Sequence, residues 1–196
     1  AAAARAEEIM KHMKNEGALP NAQTVNSVMN AWVRSGELRG AERILEEMER
    51  CFYQGKSDIV PNVVSYTTLM NGWAKSTSAN STTKTKEWFH RMKSMYNSGN
   101  KEARPNAFSY VTLISTIAKS GAPGAAAESE EILREMFEEY KKGNKDAKPN
   151  AQVASTVIDA WQRSGERNAG ERAETVLNLL VDWYMELDRD ETLRPN

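Results

Sequence analysis

The dipeptide Pro-Asn recurs at Pro20-Asn21, Pro61-Asn62, Pro105-Asn106, Pro149-Asn150 and Pro195-Asn196, at intervals of 41, 44, 44 and 46 residues. The first four copies each open a similar stretch: AQTVNSVMNAWVRSG from Ala22, VVSYTTLMNGWAKST from Val63, AFSYVTLISTIAKSG from Ala107 and AQVASTVIDAWQRSG from Ala151. A unit this short, repeated in tandem, has no partner of its own for an apolar face. It must lay that face on the next copy, so the period itself restricts the chain to a stacked array.

At about 100° per residue, Val25, Val28, Met29 and Trp32 fall on one face of a helix, the spacing of a core stripe. The same slots hold Tyr66, Leu69, Met70 and Trp73, then Tyr110, Leu113, Ile114 and Ile117, then Ala154, Val157, Ile158 and Trp161. Small residues Ala31, Gly72, Thr116 and Ala160 sit beside each stripe and allow a neighbouring helix to approach closely.

A second helix follows in each unit, with Ala41, Ile44, Leu45, Met48 and Phe52 in its stripe. Steps of 44 lead to Thr85, Trp88, Phe89, Met92 and Tyr96, to Ser129, Ile132, Leu133, Met136 and Tyr140, and to Ala173, Val176, Leu177, Leu180 and Tyr184. A step back of 35 reaches Ala6, Ile9, Met10 and Met13. The expected fold is therefore all-α, an α-solenoid of antiparallel helix pairs forming one continuous repeat domain. Residues 1–21 are the second helix of a preceding repeat, and repeats 1 to 4 span 22–62, 63–106, 107–150 and 151–196. Starting mid-repeat and ending on an opening signal, the sequence reads as a piece of a longer array. Segments such as Ser76–Asn80 and Asn97–Asn100 read as turns between helices.

The second, fifth, ninth and thirteenth residues after each Pro-Asn lie within about 80° of one another, opposite the core stripe. The thirteenth slot holds a cation every time: Arg34, Lys75, Lys119 and Arg163. Asp159 is the only acid in the four quoted stretches, so a net charge of −1 hides segregation of acids to second helices and loops. A ladder of cations suits a phosphate backbone. Its plainer role is to complement the C-terminal end of each helix dipole.

Other classes of function find little support. His12 and His90 have no metal-ligand spacing, Cys51 is the sole cysteine, and Gly121-Ala122-Pro123-Gly124 lacks the lysine and preceding strand of a phosphate loop. Trp88 and Trp183 read as packing residues. We expect no catalysis, cofactor, metal, membrane span or small-molecule substrate.

A two-helix unit opened by Pro-Asn and led by Val-Val-Ser-Tyr-Thr-Thr-Leu-Met-Asn-Gly-Trp-Ala-Lys resembles the pentatricopeptide repeat, over essentially the whole chain. Gly72 ahead of Trp73, the Lys75 slot, and Met92 closing toward Pro105-Asn106 all match its pattern. The Trp-x-x-Leu-Gly-x-x-Tyr opening of the tetratricopeptide repeat is absent. Units here are longer than the family's, with extra residues between the helices of the last three units and before each later Pro-Asn.

The resemblance implies binding of single-stranded RNA, one base per repeat, in the processing, stability or translation of transcripts in a mitochondrion or plastid. It implies base selection by the fifth residue with the last: Asn26 with Asn62, Thr67 with Asn106, Val111 with Asn150, and Ser155 with Asn196. The second slot, Gln23, Val64, Phe108 and Gln152, packs on bases in the family, and the cation ladder contacts phosphate. Family preference gives a core of 5′-pyrimidine-A-N-A-3′. Each Asn has a structural role as well, since Asn before a helix is a preferred N-cap worth about 1 kcal/mol. The alternative is a protein-binding scaffold or subunit of a large assembly, gripping a peptide or helix on the same face.

Overall fold

The structure is a computed structural model that describes residues 2–16, 20–56 and 59–187. Its regular elements are all helical: α1 (Ala2–Asn15), α2 (Ala22–Arg34), α3 (Leu38–Tyr53), α4 (Val63–Lys75), α5 (Ser81–Asn97), α6 (Ala107–Ser120), α7 (Ala125–Lys141), α8 (Ala151–Ser164) and α9 (Ala169–Glu186). First helices α2, α4, α6 and α8 alternate with second helices α3, α5, α7 and α9, with α1 ahead of them.

The starts of the first helices follow from local chemistry. Asn21, Asn62, Asn106 and Asn150 are extended N-caps whose side chains accept from the main-chain N–H three residues on, at 2.8, 3.1, 3.0 and 3.0 Å. At the other end α6 and α8 stop at Gly121 and Gly165, with φ of 63° and 68°. That left-handed conformation ends the helix and is cheap only for glycine.

The helices form two compact bodies, Ala1–Pro105 and Asn106–Asn196. In the first body α1 packs on α2, α2 pairs with α3 and lies against α4, and α4 pairs with α5. The second body repeats this, with α6 against α7 and α8, and α8 against α9. The predicted stripes form each core: Met29, Leu45, Tyr66, Leu69, Met70, Trp88 and Met92 are fully buried in the first body, and Ile114, Met136, Ala154 and Val157 in the second. Phe137 and Trp183 stack with ring centroids 4.0 Å apart.

The stripe reading needs correction at the outermost helices. Leu177 is 41% exposed, and Ile9 is exposed as well. Leu177 lies with the exposed Val181 and Met185 along one side of α9, while Val176, Leu180 and Trp183 point into the core. Trp32 and Ile158 are half-buried.

Two features were missed by periodicity. Residues ahead of the later Pro-Asn signals wind into short 3-10 turns, Lys101–Ala103 and Lys145–Ala147, with Ala103 and Ala147 buried. Asn100, read as part of an open turn, is buried and donates through Nδ2 to the Pro61 carbonyl at 2.6 Å. The signal was the repeated octet at 99–106 and 143–150, Gly-Asn-Lys-Glu-Ala-Arg-Pro-Asn and Gly-Asn-Lys-Asp-Ala-Lys-Pro-Asn.

The second feature is a set of buried carboxylates fastening second helices to their neighbours. Glu7 accepts the Trp32 indole N–H at 3.2 Å and Arg43 at 2.6 Å. Glu42 accepts Trp88 at 3.1 Å, and Glu130 accepts Trp161 at 3.0 Å with Arg134 and Arg172 each at 2.7 Å. Glu49 takes the Tyr66 hydroxyl at 2.7 Å together with Arg91. Burial, reinforced by that carboxylate, raises the Tyr66 phenol well above its ordinary range. A buried carboxylate is tolerated because its lone pairs are filled by donors held in place.

Gly72 tests the close packing. A Cβ there would sit 2.9 Å from Leu38 Cδ2 and 2.9 Å from Val33 Cγ1. Gly72→Ala is expected to destabilise the protein by roughly 1–3 kcal/mol through overpacking, read as a lower urea midpoint. An unchanged midpoint would mean that the α2, α3 and α4 seam has slack.

Candidate nucleic-acid interface

The candidate surface is built on the first helices, on the side away from the core stripes. Second-slot residues Gln23, Val64, Phe108 and Gln152 are all exposed, Val64 at 50% and Phe108 at 52%. An exposed phenylalanine on a regular helix adds nothing to the core and is available to pack on a flat ligand. Arg34, Lys75, Lys119 and Arg163 are exposed as well, each in the last turn of its helix.

The fifth slot is less open than its angular position predicts. Asn26 and Thr67 are each only 8% exposed, while Val111 and Ser155 are half-buried. In the first body Asn26 lies in the seam between α2 and α4, where it bonds Asn62 and Ser65. It does not lose access to a ligand altogether. An open pocket of about 450 Å³ lies over that seam, lined by Gln23, Asn26, Ser27, Asn30, Asn62, Val64 and Thr68. A second, of about 390 Å³, lies over Ala2, Ser27, Asn30, Ala31, Arg34 and Ser35.

Asn26 and Asn62, a pair expected from sequence to act together, are hydrogen-bonded, Asn26 Nδ2 donating to Asn62 Oδ1 at 3.1 Å. Asn62 Oδ1 also holds the helix cap, so the amide's acceptor end is committed and its Nδ2 is the end left for a ligand. Capping therefore uses one end of this side chain and leaves the other uncommitted. The same division applies to Asn106 and Asn150, whose Oδ1 atoms cap α6 and α8. Asn196 lies outside the described residues.

The hydroxyls at the fifth slot are also directional. Thr67 Oγ1 donates to the Val63 carbonyl at 2.7 Å and Ser155 Oγ to Ala151 at 3.0 Å. With the proton used inside the helix, each oxygen has only acceptor capacity left. Val111 offers neither function.

Sequence reasoning missed Ser65, which is fully buried and bonded to both Asn26 and Asn62. Hydroxyls at Thr24, Ser65 and Ser109, each third after Pro-Asn, were the available signal. His12 and His90 are exposed, and the half-buried Cys51 thiol donates to Glu47 Oε1 at 3.6 Å. Among the described residues no cluster of three or more His, Cys, Asp or Glu is placed to hold a metal ion, and no helix is long and apolar enough to cross a membrane.

Residues 8–76 match the pentatricopeptide repeat domain. The fold is similar to that of the pentatricopeptide repeat protein PPR10 from maize, with a TM-score of 0.63 and 23% sequence identity, over 94% of this chain and 23% of that one. No curated protein matches the sequence. The chain thus has the all-α helical-repeat fold seen in the maize protein, and its residues 8–76 match the pentatricopeptide repeat domain.

Asn150→Ala is expected to lower stability by about 1 kcal/mol through loss of the α8 cap. Phe108→Ala, on an exposed face, should leave the melting temperature within a degree or two of wild type. Equal losses in both variants by thermal denaturation would contradict the placement of Phe108 outside the core.

Proposed function

We propose that this chain binds single-stranded RNA without catalysing a reaction on it, one base per repeat, within the processing, stability or translation of an organelle transcript. The observation that carries this reading is the Asn26–Asn62 amide pair at the floor of the open pocket between α2 and α4, flanked by Gln23 and Val64. Two second-slot side chains on either side of a polar floor suit a flat ring whose edge is read from below.

The polarity of each floor agrees with the base expected there. Asn26 with Asn62 leaves amide donors uppermost, which suits the adjacent acceptors N3 and O2 of cytosine. Thr67 and Ser155 each leave an acceptor, which complements the N6 amino group of adenine. Val111 leaves the third base unread. The core 5′-pyrimidine-A-N-A-3′ follows, with Arg34, Lys75, Lys119 and Arg163 on the phosphates.

A scaffold that grips a peptide or helix is the second reading, favoured by the apolar Val111 and a net charge of −1. Salt titration separates the two. With about four phosphates neutralised, log affinity for RNA should fall with log salt at a slope of roughly −3, and Lys75→Ala should weaken all sequences alike while reducing the slope by about 0.7. A scaffold would give no measurable RNA binding.

Base selection has its own test. Thr67→Asn is expected to move the second base from adenine toward pyrimidine by roughly five- to tenfold in relative affinity, the worth of about one hydrogen bond. Selection from a random RNA pool that returns the wild-type profile for this variant would remove the reading code.

A further inference from the structure

The bonds around the first pocket form a closed circuit whose directions are forced by the backbone. The Ser65 main-chain N–H can only donate, so the Asn62 atom it meets at 3.1 Å is Oδ1. The Asn26 atom 3.1 Å from that oxygen must then be Nδ2, and the other end of the Asn26 amide must be Oδ1. Ser65 Oγ lies 2.7 Å from Asn26 Oδ1 and therefore donates to it, while accepting from the Asn62 main-chain N–H at 3.2 Å. Each amide end has one allowed orientation.

Ser65 is fully buried, so its hydroxyl is not itself presented to a ligand. Its effect is on what Asn26 presents. With Oδ1 taken by Ser65 and one Nδ2 proton taken by Asn62, Asn26 offers its second N–H beside the free Nδ2 of Asn62. The floor of the pocket becomes a row of donors.

We propose that Ser65 is a positioning residue that sets base selectivity in the first pocket, locking the Asn26 amide so that Asn26 and Asn62 together present donors to the base. The assignment rests on the single-stranded RNA reading above, and it adds a third residue, contributed by the following helix, to the pair of side chains that meets the base.

The plainer role, closing a capping box on α4, accounts for one bond and leaves the other unexplained. Capping in this chain does not need a hydroxyl at this slot: Val153 occupies it in α8, where Asn150 still accepts the main-chain N–H at 3.0 Å. Nor does a hydroxyl there always bridge helices. Ser109 turns its own onto the Asn106 carbonyl at 2.7 Å, and Thr24 bonds Asn21 Oδ1 at 3.0 Å.

The test compares Ser65→Ala and Ser65→Thr with wild type in the full chain, using short RNAs that differ only at the base facing Asn26 and Asn62, or only at the base facing Thr67. In Ser65→Ala the Asn26 oxygen loses its donor and becomes available to a base that donates. The preference for cytosine over guanine at the first base should fall by about fivefold, the worth of one hydrogen bond. Preference at the Thr67 base should stay unchanged, and Ser65→Thr should retain the wild-type profile. A merely structural role would weaken every RNA equally and leave both ratios intact, which overturns the proposal. So does a wild-type protein that binds RNA with no preference at the first base, though general RNA binding would then stand.

If the wild type binds no RNA, the functional reading fails and takes the selectivity role with it. Side-chain amide NMR of the free protein tests the lock without any ligand. Slow exchange of the Asn26 carboxamide is expected in wild type and Ser65→Thr, with faster exchange in Ser65→Ala. A freely exchanging Asn26 amide in wild type overturns the lock directly.

Discussion

The bond from a main-chain N–H in the first turn to the side chain of the Pro-Asn asparagine fixes more of this protein than any other single contact. It is made at Asn21, Asn62, Asn106 and Asn150, and it decides where each first helix begins. Because a main-chain N–H can only donate, the same bond fixes which end of the asparagine amide faces inward. Asn62, which starts α4, thereby also turns its Nδ2 toward the pocket that it lines. At Asn62 that orientation passes on through Asn26 to Ser65, so helix capping and the chemistry offered to a ligand are one constraint.

The peptide preceding Asn62 is held in turn. Asn100, from the far end of its own repeat, donates to the Pro61 carbonyl, with the 3-10 turn at Lys101–Ala103 wound beside it. The residues by which these repeats exceed the family's length are thus partly structural, bracing the segment that carries Asn62. Elsewhere the stacking relies on carboxylates. Glu7, Glu42 and Glu130 occupy one slot of the second helix, and each takes an indole N–H from a neighbouring helix. Glu130, 1% exposed, accepts from two guanidinium groups and an indole. Acids concentrated on second helices therefore serve as internal fasteners, and the first helices keep an outer face on which cations stand without acidic neighbours in their own sequence, Asp159 excepted.

Much of the fold was legible because a helix at 3.6 residues per turn and a repeat of near-constant length leave the apolar positions little freedom. Val28, Leu69, Leu113 and Val157 are buried as that periodicity requires. The candidate site was legible by position and not by environment. Val64 and Phe108 stand exposed, whereas Asn26 sinks into the seam between α2 and α4, because its exposure depends on how near a second helix comes. That distance is set by Gly72, Val33 and Leu38, residues far apart in sequence from the side chains they affect.

The sequence by itself determined that the chain is a tandem of helix pairs, which slots form the core, where each first helix starts, and that a cation closes it. Tertiary structure alone decided which way the amides point, which glutamates are buried, and that Ser65 bonds Asn26 across two helices. The physical reason is range. Helix periodicity and capping are local and can be read within a few residues, but the direction of a hydrogen bond between two helices exists only once their separation has been fixed by the packing of everything between them.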